Sequence, residues 1–280
     1  MAGVIFVNPK SGADETSPEE LRERFPGHRV EECEPARLTA RIREALADGA
    51  EFIGAAGGDG TIRLAAEVLV GQEVPLLPIP AGTRNHFARD VGIDDLDAAA
   101  KAVTGPIIEI DVGRVNGRHF VNNSSIGLYP KVVVRREVHQ RHVRKGLANI
   151  VAAYEQIRAG ERVTIEIDGV THLVWMVFVG NGEYGEGLLD LADRESLDRN
   201  ILDLRVVRGD RPLSRLRIVG ALLLGRLARS PLVLRERRAA ITVRPRRTEV
   251  EVALDGEVEV LKTPLKYESV PHALKVLVPD

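Results

Sequence analysis

Asn8-Pro9-Lys10-Ser11-Gly12, Gly57-Gly58-Asp59-Gly60-Thr61 and Pro80-Ala81-Gly82-Thr83-Arg84-Asn85 are the stretches of this chain whose residue types and spacing could do chemistry. Glycines let a backbone come close to an anion, and N–H groups at a helix start point toward it. Each stretch follows an apolar run (residues 4–7, 52–56 and 74–79) that reads as a buried strand. In a parallel sheet the loops after such strands gather at one edge, where ligands bind. One glycine-rich loop would say little, but three in series make a nucleotide phosphate site the leading expectation. The expected nucleotide contacts are Asn8, Lys10, Ser11, Gly12, Gly57, Gly58, Gly60, Thr61, Gly82, Thr83, Arg84 and Asn85. Asp59, between glycines, has a carboxylate free to reach a magnesium ion or an acceptor hydroxyl. The competing reading is plain punctuation. Asp59-Gly60 and Ser11-Gly12 are common turns, and Thr61, Thr83 or Asn85 could each cap a following helix.

The elements that must position these loops alternate over the first hundred residues. Strands are expected at 4–7, 29–33, 52–56 and 74–79, and helices at 18–24, 38–47, 61–70, 85–91 and 96–103. That is a βαβ series with a mainly parallel sheet. After Gly105-Pro106 strands dominate, and Asn116-Gly117, Asp168-Gly169 and Asp255-Gly256 are hairpin turn signals. This part reads as an antiparallel sandwich or barrel, with helical insertions expected at 145–158 and 213–228.

The chain has 280 residues, 44% hydrophobic and 29% charged, which is globular and long enough for two domains. A net charge of −2 and only 4% aromatics argue against a nucleic-acid binder. Cys33, the single cysteine, excludes an intrachain disulfide and suits a reducing cytosol. The first expected strand starts almost at Met1, so no signal peptide is expected before it. The uncharged apolar run at 218–225 is far below the roughly 20 residues that span a bilayer. Basic residues at 135–145, and Arg215, Arg217, Arg226 and Arg229 beside that run, suit an anionic membrane surface or a solvated helix face.

The three loops, read as VNPKSG, AAGGDGT and PIPAGTRNHFARD, resemble the catalytic domain of the diacylglycerol kinase family, which includes bacterial lipid kinases and sphingosine kinases. FVGNGEYGEGLL from Phe178 and ALDGEVEVLKTPLKYE from Ala253 extend the resemblance over nearly the whole chain. It implies an α/β nucleotide-binding domain over 1–105 and a β-sandwich-like lipid-substrate domain over 106–265. A last strand, at about 266–280, would return to the first domain. The resemblance also gives Asp255 a catalytic role, since family members place an Asp in a matching Asp-Gly-Glu with Thr-Pro downstream. Pattern alone makes Asp255-Gly256 a turn like Asp168-Gly169. On the resemblance, Asp255 accepts the proton of a lipid hydroxyl, Asp59 organises nucleotide and metal, and Glu257 helps hold magnesium or phosphate.

The chain departs from the family pattern in several places. Arg84 and His86 stand in the Gly-Thr-x-Asn-x-Phe loop, and Arg63-Leu64 replaces a common Asn-Glu. Arg199 stands where many bacterial members have an Asp that helps hold a structural magnesium. The expectation is that this metal site is absent, or rebuilt around Asp198, with Arg199 paired to a nearby carboxylate such as Asp198 or Asp203.

The resulting expectation is a cytoplasmic lipid kinase of phospholipid metabolism, peripheral at the membrane. It would use ATP and Mg2+ to phosphorylate diacylglycerol or a related lipid, with the nucleotide lying between the two domains. A homodimer is among the states this allows. The alternatives are an NAD kinase-like enzyme and a non-catalytic lipid- or nucleotide-binding protein.

Overall fold

The computed structural model describes residues 2–9, 17–83, 85–127, 162–185, 194–214, 217–218, 221 and 230–280. Lys10, Ser11, Gly12, Arg84, the basic stretch 135–145, the helix expected at 145–158 and most of that expected at 213–228 lie outside them. The chain divides into two compact units. One comprises residues 1–112, 119–121 and 270–280, the other residues 113–118 and 122–269.

The first unit opens with β1 (Val4–Val7), α1 (Pro18–Arg24), β2 (Arg29–Glu32), α2 (Pro35–Ala47), β3 (Ile53–Gly57), α3 (Asp59–Leu69), β4 (Leu76–Pro80), α4 (His86–Asp90) and α5 (Leu96–Ala102). β1 lies between β2 and β3, and β4 joins the far side of β3, all parallel. The pairing is in step: Val4 lies opposite Ile53, and Ile53 opposite Leu76. These strands are short continuous apolar runs because helices cover both faces of a parallel sheet. Ile5, Phe6, Ile53, Leu77 and Ile79 are fully buried. α2 turns Leu38, Ile42 and Ala45 inward, and α3 does the same with Ile62, Ala65, Ala66 and Leu69. At α1 the Ser17 hydroxyl accepts the Glu20 N–H at 3.1 Å, with Pro18 in the first turn, a standard way to satisfy helix-start donors.

The chain then forms β5 (Ile107–Val115), β6 (Arg118–Phe120), β7 (Asn123–Gly127), β8 (Val163–Ile167), β9 (Val170–Asn181), β10 (Glu183–Tyr184), β11 (Arg194–Ser196) and β12 (Leu202–Arg208). It ends with β13 (Val233–Arg238), β14 (Ala240–Pro245), β15 (Glu249–Leu254), β16 (Glu257–Lys262) and β17 (Leu265–Leu277). Within the second unit the ladder runs β16-β15-β7-β9-β8-β14-β17, antiparallel throughout, and β12 adds to β9 and carries β13. β10 and β11 form a separate two-stranded ribbon. Beyond Ser269 the chain is part of the first unit, where Val276 of β17 pairs in parallel with Leu76 of β4.

The turn signals take the geometry their residues favour. Asn116-Gly117, Asp168-Gly169 and Asp255-Gly256 all have positive φ at both positions, 47° and 85°, 50° and 80°, and 49° and 95°. That backbone matches the twist of a two-residue hairpin. One boundary differs from expectation in a way that bears on the site. α3 starts at Asp59 rather than Thr61, with Gly58 at the N-cap, so Thr61 does not cap the helix.

Candidate functional site

In the first unit the loops after β1, β3 and β4 meet, because those three strands are neighbours pointing the same way. Asn8 Nδ2 donates to Thr61 Oγ1 at 3.2 Å, which ties the first loop to the second. Asp59 Oδ1 accepts the Phe87 N–H at 3.1 Å, which ties the second loop to the helix after the third. Gly82 lies against Gly58 so closely that a Cβ on Gly82 would sit 2.4 Å from the Gly58 Cα. Gly57 is constrained too, since a Cβ there would come 2.5 Å from Thr61 Oγ1. Gly82 is therefore required by backbone contact between the second and third loops, and Gly57 by the Thr61 side chain that packs against it.

Asn85 occupies the N-cap position of α4 in the left-handed region, φ 51°, but its side chain does not cap the helix. Its amide brackets Gly82 instead: Nδ2 donates to the Gly82 carbonyl and Oδ1 accepts the Gly82 N–H, both at 2.9 Å. This closes the third loop on itself. Asn8, Gly58, Asp59, Gly60 and Gly82 are half-buried, and Thr83 is exposed. Gly58, Asp59 and Gly60 stand at the start of α3, where backbone donors and the helix dipole favour an anion. Arg63, in place of the family's Asn, is buried on α3 and lies 3.6 Å from Glu67.

In the second unit Asp255 is 9% exposed although it sits in a hairpin turn. Its Oδ1 accepts the backbone N–H groups of Asn122 and Asn123 at 2.8 and 2.9 Å. Its own N–H donates to the Asn123 carbonyl at 2.9 Å. The carboxylate is thus held in one orientation by backbone that is far away in sequence. Glu257 begins β16 opposite Leu254 and is exposed. Among the described residues, no three His, Cys, Asp or Glu side chains gather as a metal cage. A magnesium ion that arrives on nucleotide phosphates needs only one or two carboxylates and keeps several waters, and a half-buried Asp59 suits that mode.

Sequence reasoning did not single out Asn122, Tyr184 or Arg205. Arg205 is almost fully buried and grips Asp203 with both arms, Nε to Oδ1 at 3.1 Å and Nη2 to Oδ2 at 2.7 Å. It also donates to the Gly185 carbonyl at 2.8 Å. The Tyr184 ring lies over Gly180, where a Cβ would come within 2.4 Å of the ring. The Phe178-to-Tyr184 part of the late motif thereby has a packing reason.

Arg199 corrects an expectation. Asp203 is taken by Arg205, and Asp198 accepts the Ser196 hydroxyl at 2.6 Å. Arg199 instead donates to Glu183 Oε2 at 3.0 Å, and Arg237 reaches the other oxygen at 2.5 Å. Glu183 is the preferred partner because its carboxylate is largely buried and must be paired.

Residues 2–115 match the diacylglycerol kinase catalytic domain, and residues 129–278 match the YegS C-terminal NAD kinase beta sandwich-like domain. A relative from Pseudomonas aeruginosa, described as "Probable lipid kinase YegS-like", is 31% identical over 85% of this chain and 80% of its own. One from Pseudomonas fluorescens with the same description is 29% identical over 85% and 81%. In structure, a diacylglycerol kinase from Bacillus anthracis superposes with a TM-score of 0.68 at 22% identity, covering 99% of this chain and 96% of that one. An NAD kinase from Archaeoglobus fulgidus in complex with ATP shares the fold at a TM-score of 0.53 and 13% identity, covering 100% and 94%. The protein is therefore a kinase, with an α/β catalytic domain and an antiparallel β-sandwich domain. It belongs to the diacylglycerol kinase family, in the branch that carries the YegS-type C-terminal domain. No helix among the described residues is long and apolar enough to cross a membrane.

Proposed function

We propose that the protein transfers the γ-phosphoryl group of ATP to the hydroxyl of a lipid, with diacylglycerol or a related lipid as acceptor. The observation that carries this reading is the junction of three loops in the first unit, through Asn8–Thr61, Gly58–Gly82 and Asp59–Phe87. Its glycines, half-buried backbone and helix start suit the phosphates of a nucleotide. Phosphoryl transfer asks a protein mainly for positioning and for neutralising charge, which such a cradle supplies.

Asp59 organises the nucleotide, and it is the carboxylate that would hold magnesium. The ion, when bound, neutralises charge on the phosphoryl oxygens. Asp255 is the base. Its Oδ1 is fixed by Asn122 and Asn123, so the carboxylate is already oriented when the acceptor hydroxyl gives up its proton. The relatives described as lipid kinases support a lipid acceptor. Peripheral contact with an anionic membrane, through basic residues beside apolar ones, would bring the protein to it.

The test is Asp59→Asn. Asparagine keeps an oxygen for the Phe87 N–H, so the fold should survive while turnover is abolished. Normal phosphoryl transfer by this variant would remove the main support of the reading.

A further inference from the structure

Asn122 is 4% exposed, and its polar groups are held from several directions. Its N–H donates to Asp255 Oδ1. Its carbonyl accepts the Tyr184 hydroxyl at 2.7 Å and the Asn181 N–H at 2.8 Å. Its side-chain Oδ1 accepts Arg194 Nη2 at 2.9 Å. The other arm of Arg194 donates to the Asn181 carbonyl at 3.3 Å, and the guanidinium lies 5.6 Å from the centre of the Tyr184 ring. Arg194 therefore clamps Asn122 to Asn181 and backs the tyrosine that bonds the same residue.

The Asn122 carbonyl and the Asn123 N–H belong to one peptide unit, and a peptide unit is planar. Whatever fixes the direction of that carbonyl fixes the direction of the N–H on the opposite side. The Asn123 N–H is the second donor to Asp255 Oδ1. The Tyr184 hydroxyl thus aims one donor through the peptide plane, and Arg194 steadies the residue that supplies the other. A charge-assisted bond such as that from Arg194 to Asn122 is stronger than a neutral one.

We propose that Arg194 and Tyr184 are positioning residues for the Asp255 carboxylate, acting through the peptide units of Asn122 and Asn123. The catalytic part of this rests on the reading of Asp255 as the base. Neither residue need touch substrate. Their effect is on the rate of the step that Asp255 serves and not on nucleotide binding.

The experiment compares Tyr184→Phe, Arg194→Ala and Asp255→Asn in two measurements. Amide hydrogen exchange at Asn122 and Asn123, relative to Phe178 and Val179, reads positioning without any substrate. Transfer from ATP to dioleoylglycerol in phosphatidylglycerol vesicles reads its consequence. Exchange at the two amides should speed up in Tyr184→Phe and Arg194→Ala. In both, kcat should fall about 10-fold, as slight misplacement of a reacting group can cause. KM for ATP should stay as in the wild type, and added guanidinium ion should restore part of the Arg194→Ala rate. Unchanged exchange at Asn122 and Asn123 overturns the proposal. So do wild-type kcat values in the two variants when Asp255→Asn is slow. A wild-type rate in Asp255→Asn itself would retire the base reading and with it the catalytic part of the proposal, while exchange would still decide the positioning.

Discussion

Asp255 and Asp168 share the same left-handed backbone, φ 49° and 50°, in equivalent Asp-Gly hairpins, yet their carboxylates face opposite surroundings. The Asp255 carboxylate is buried and accepts two backbone N–H groups. The Asp168 carboxylate is 49% exposed and pairs with Arg238. Asparagine suits either turn, so substitution there tests the carboxylate and not the backbone. Asp255→Asn should lower kcat by ~10²-fold or more, the scale of losing a general base, with nucleotide affinity little changed. Asp168→Asn should be nearly silent. Equal effects in steady-state kinetics would mean that Asp255 is a turn residue, leaving Asp59 as the better base.

Gly82→Ala should damage the junction of the three loops directly. The new methyl would lie 2.4 Å from the Gly58 Cα, and backbone cannot yield as a flexible side chain does. Overpacking of this kind costs about 1–3 kcal/mol. Thermal melts should show that loss, and ATP affinity should fall with it because the second and third loops are forced apart. Wild-type melting and affinity would show that the contact between the loops is not needed.

Arg199 and Arg237 hold the two oxygens of Glu183. Arg199 is largely exposed, so Arg199→Ala should cost less than about 1 kcal/mol. Removing both arginines should cost more than the sum of the single changes, because a buried carboxylate then loses both partners. Urea melts of the two single variants and the double variant give the comparison. Magnesium soaked into crystals should place no ion in the loop of residues 197–202. A well-coordinated ion there would show that the guanidiniums do not do the work of a metal.

Tyr267 gives stability a pH dependence on the alkaline side. Burial pushes its phenol well above the ordinary value of 10.0, against a smaller opposite effect of the Ser124 hydroxyl 3.1 Å away. The folded protein keeps the proton at pH values where the unfolded chain has lost it. The contribution is therefore complete below the unfolded value of 10.0 and declines as pH rises above it. Melting temperatures from pH 8 to 11 should fall more steeply for the wild type than for Tyr267→Phe. Parallel slopes would contradict this account.

The βαβ series and the Asx-Gly hairpins were legible in the sequence because apolar period and turn chemistry are local properties. Strand limits shifted by a residue or two. α3 began early because Gly58 could serve as its N-cap while Thr61 bonded Asn8. The side-chain partners were not legible, because they come from distant segments. Asp255 is 133 residues from Asn122, and local pattern gave it the same standing as Asp168. Arg199 was expected to choose a carboxylate close in sequence, but burial placed the greater need for a partner at Glu183. The resemblance pointed to the late Gly-Asn-Gly-Glu-Tyr stretch without giving its reason, which is the packing of Tyr184 over Gly180.

Whether this kinase phosphorylates a lipid from ATP is decided by following the labelled phosphoryl group. The most direct measurement incubates the wild-type protein with γ-labelled ATP and magnesium, once with a mixed lipid extract and once with NAD. Label is expected in the lipid fraction and none on NAD. Label on NAD, or a lipid fraction that stays unlabelled, would contradict the proposed function.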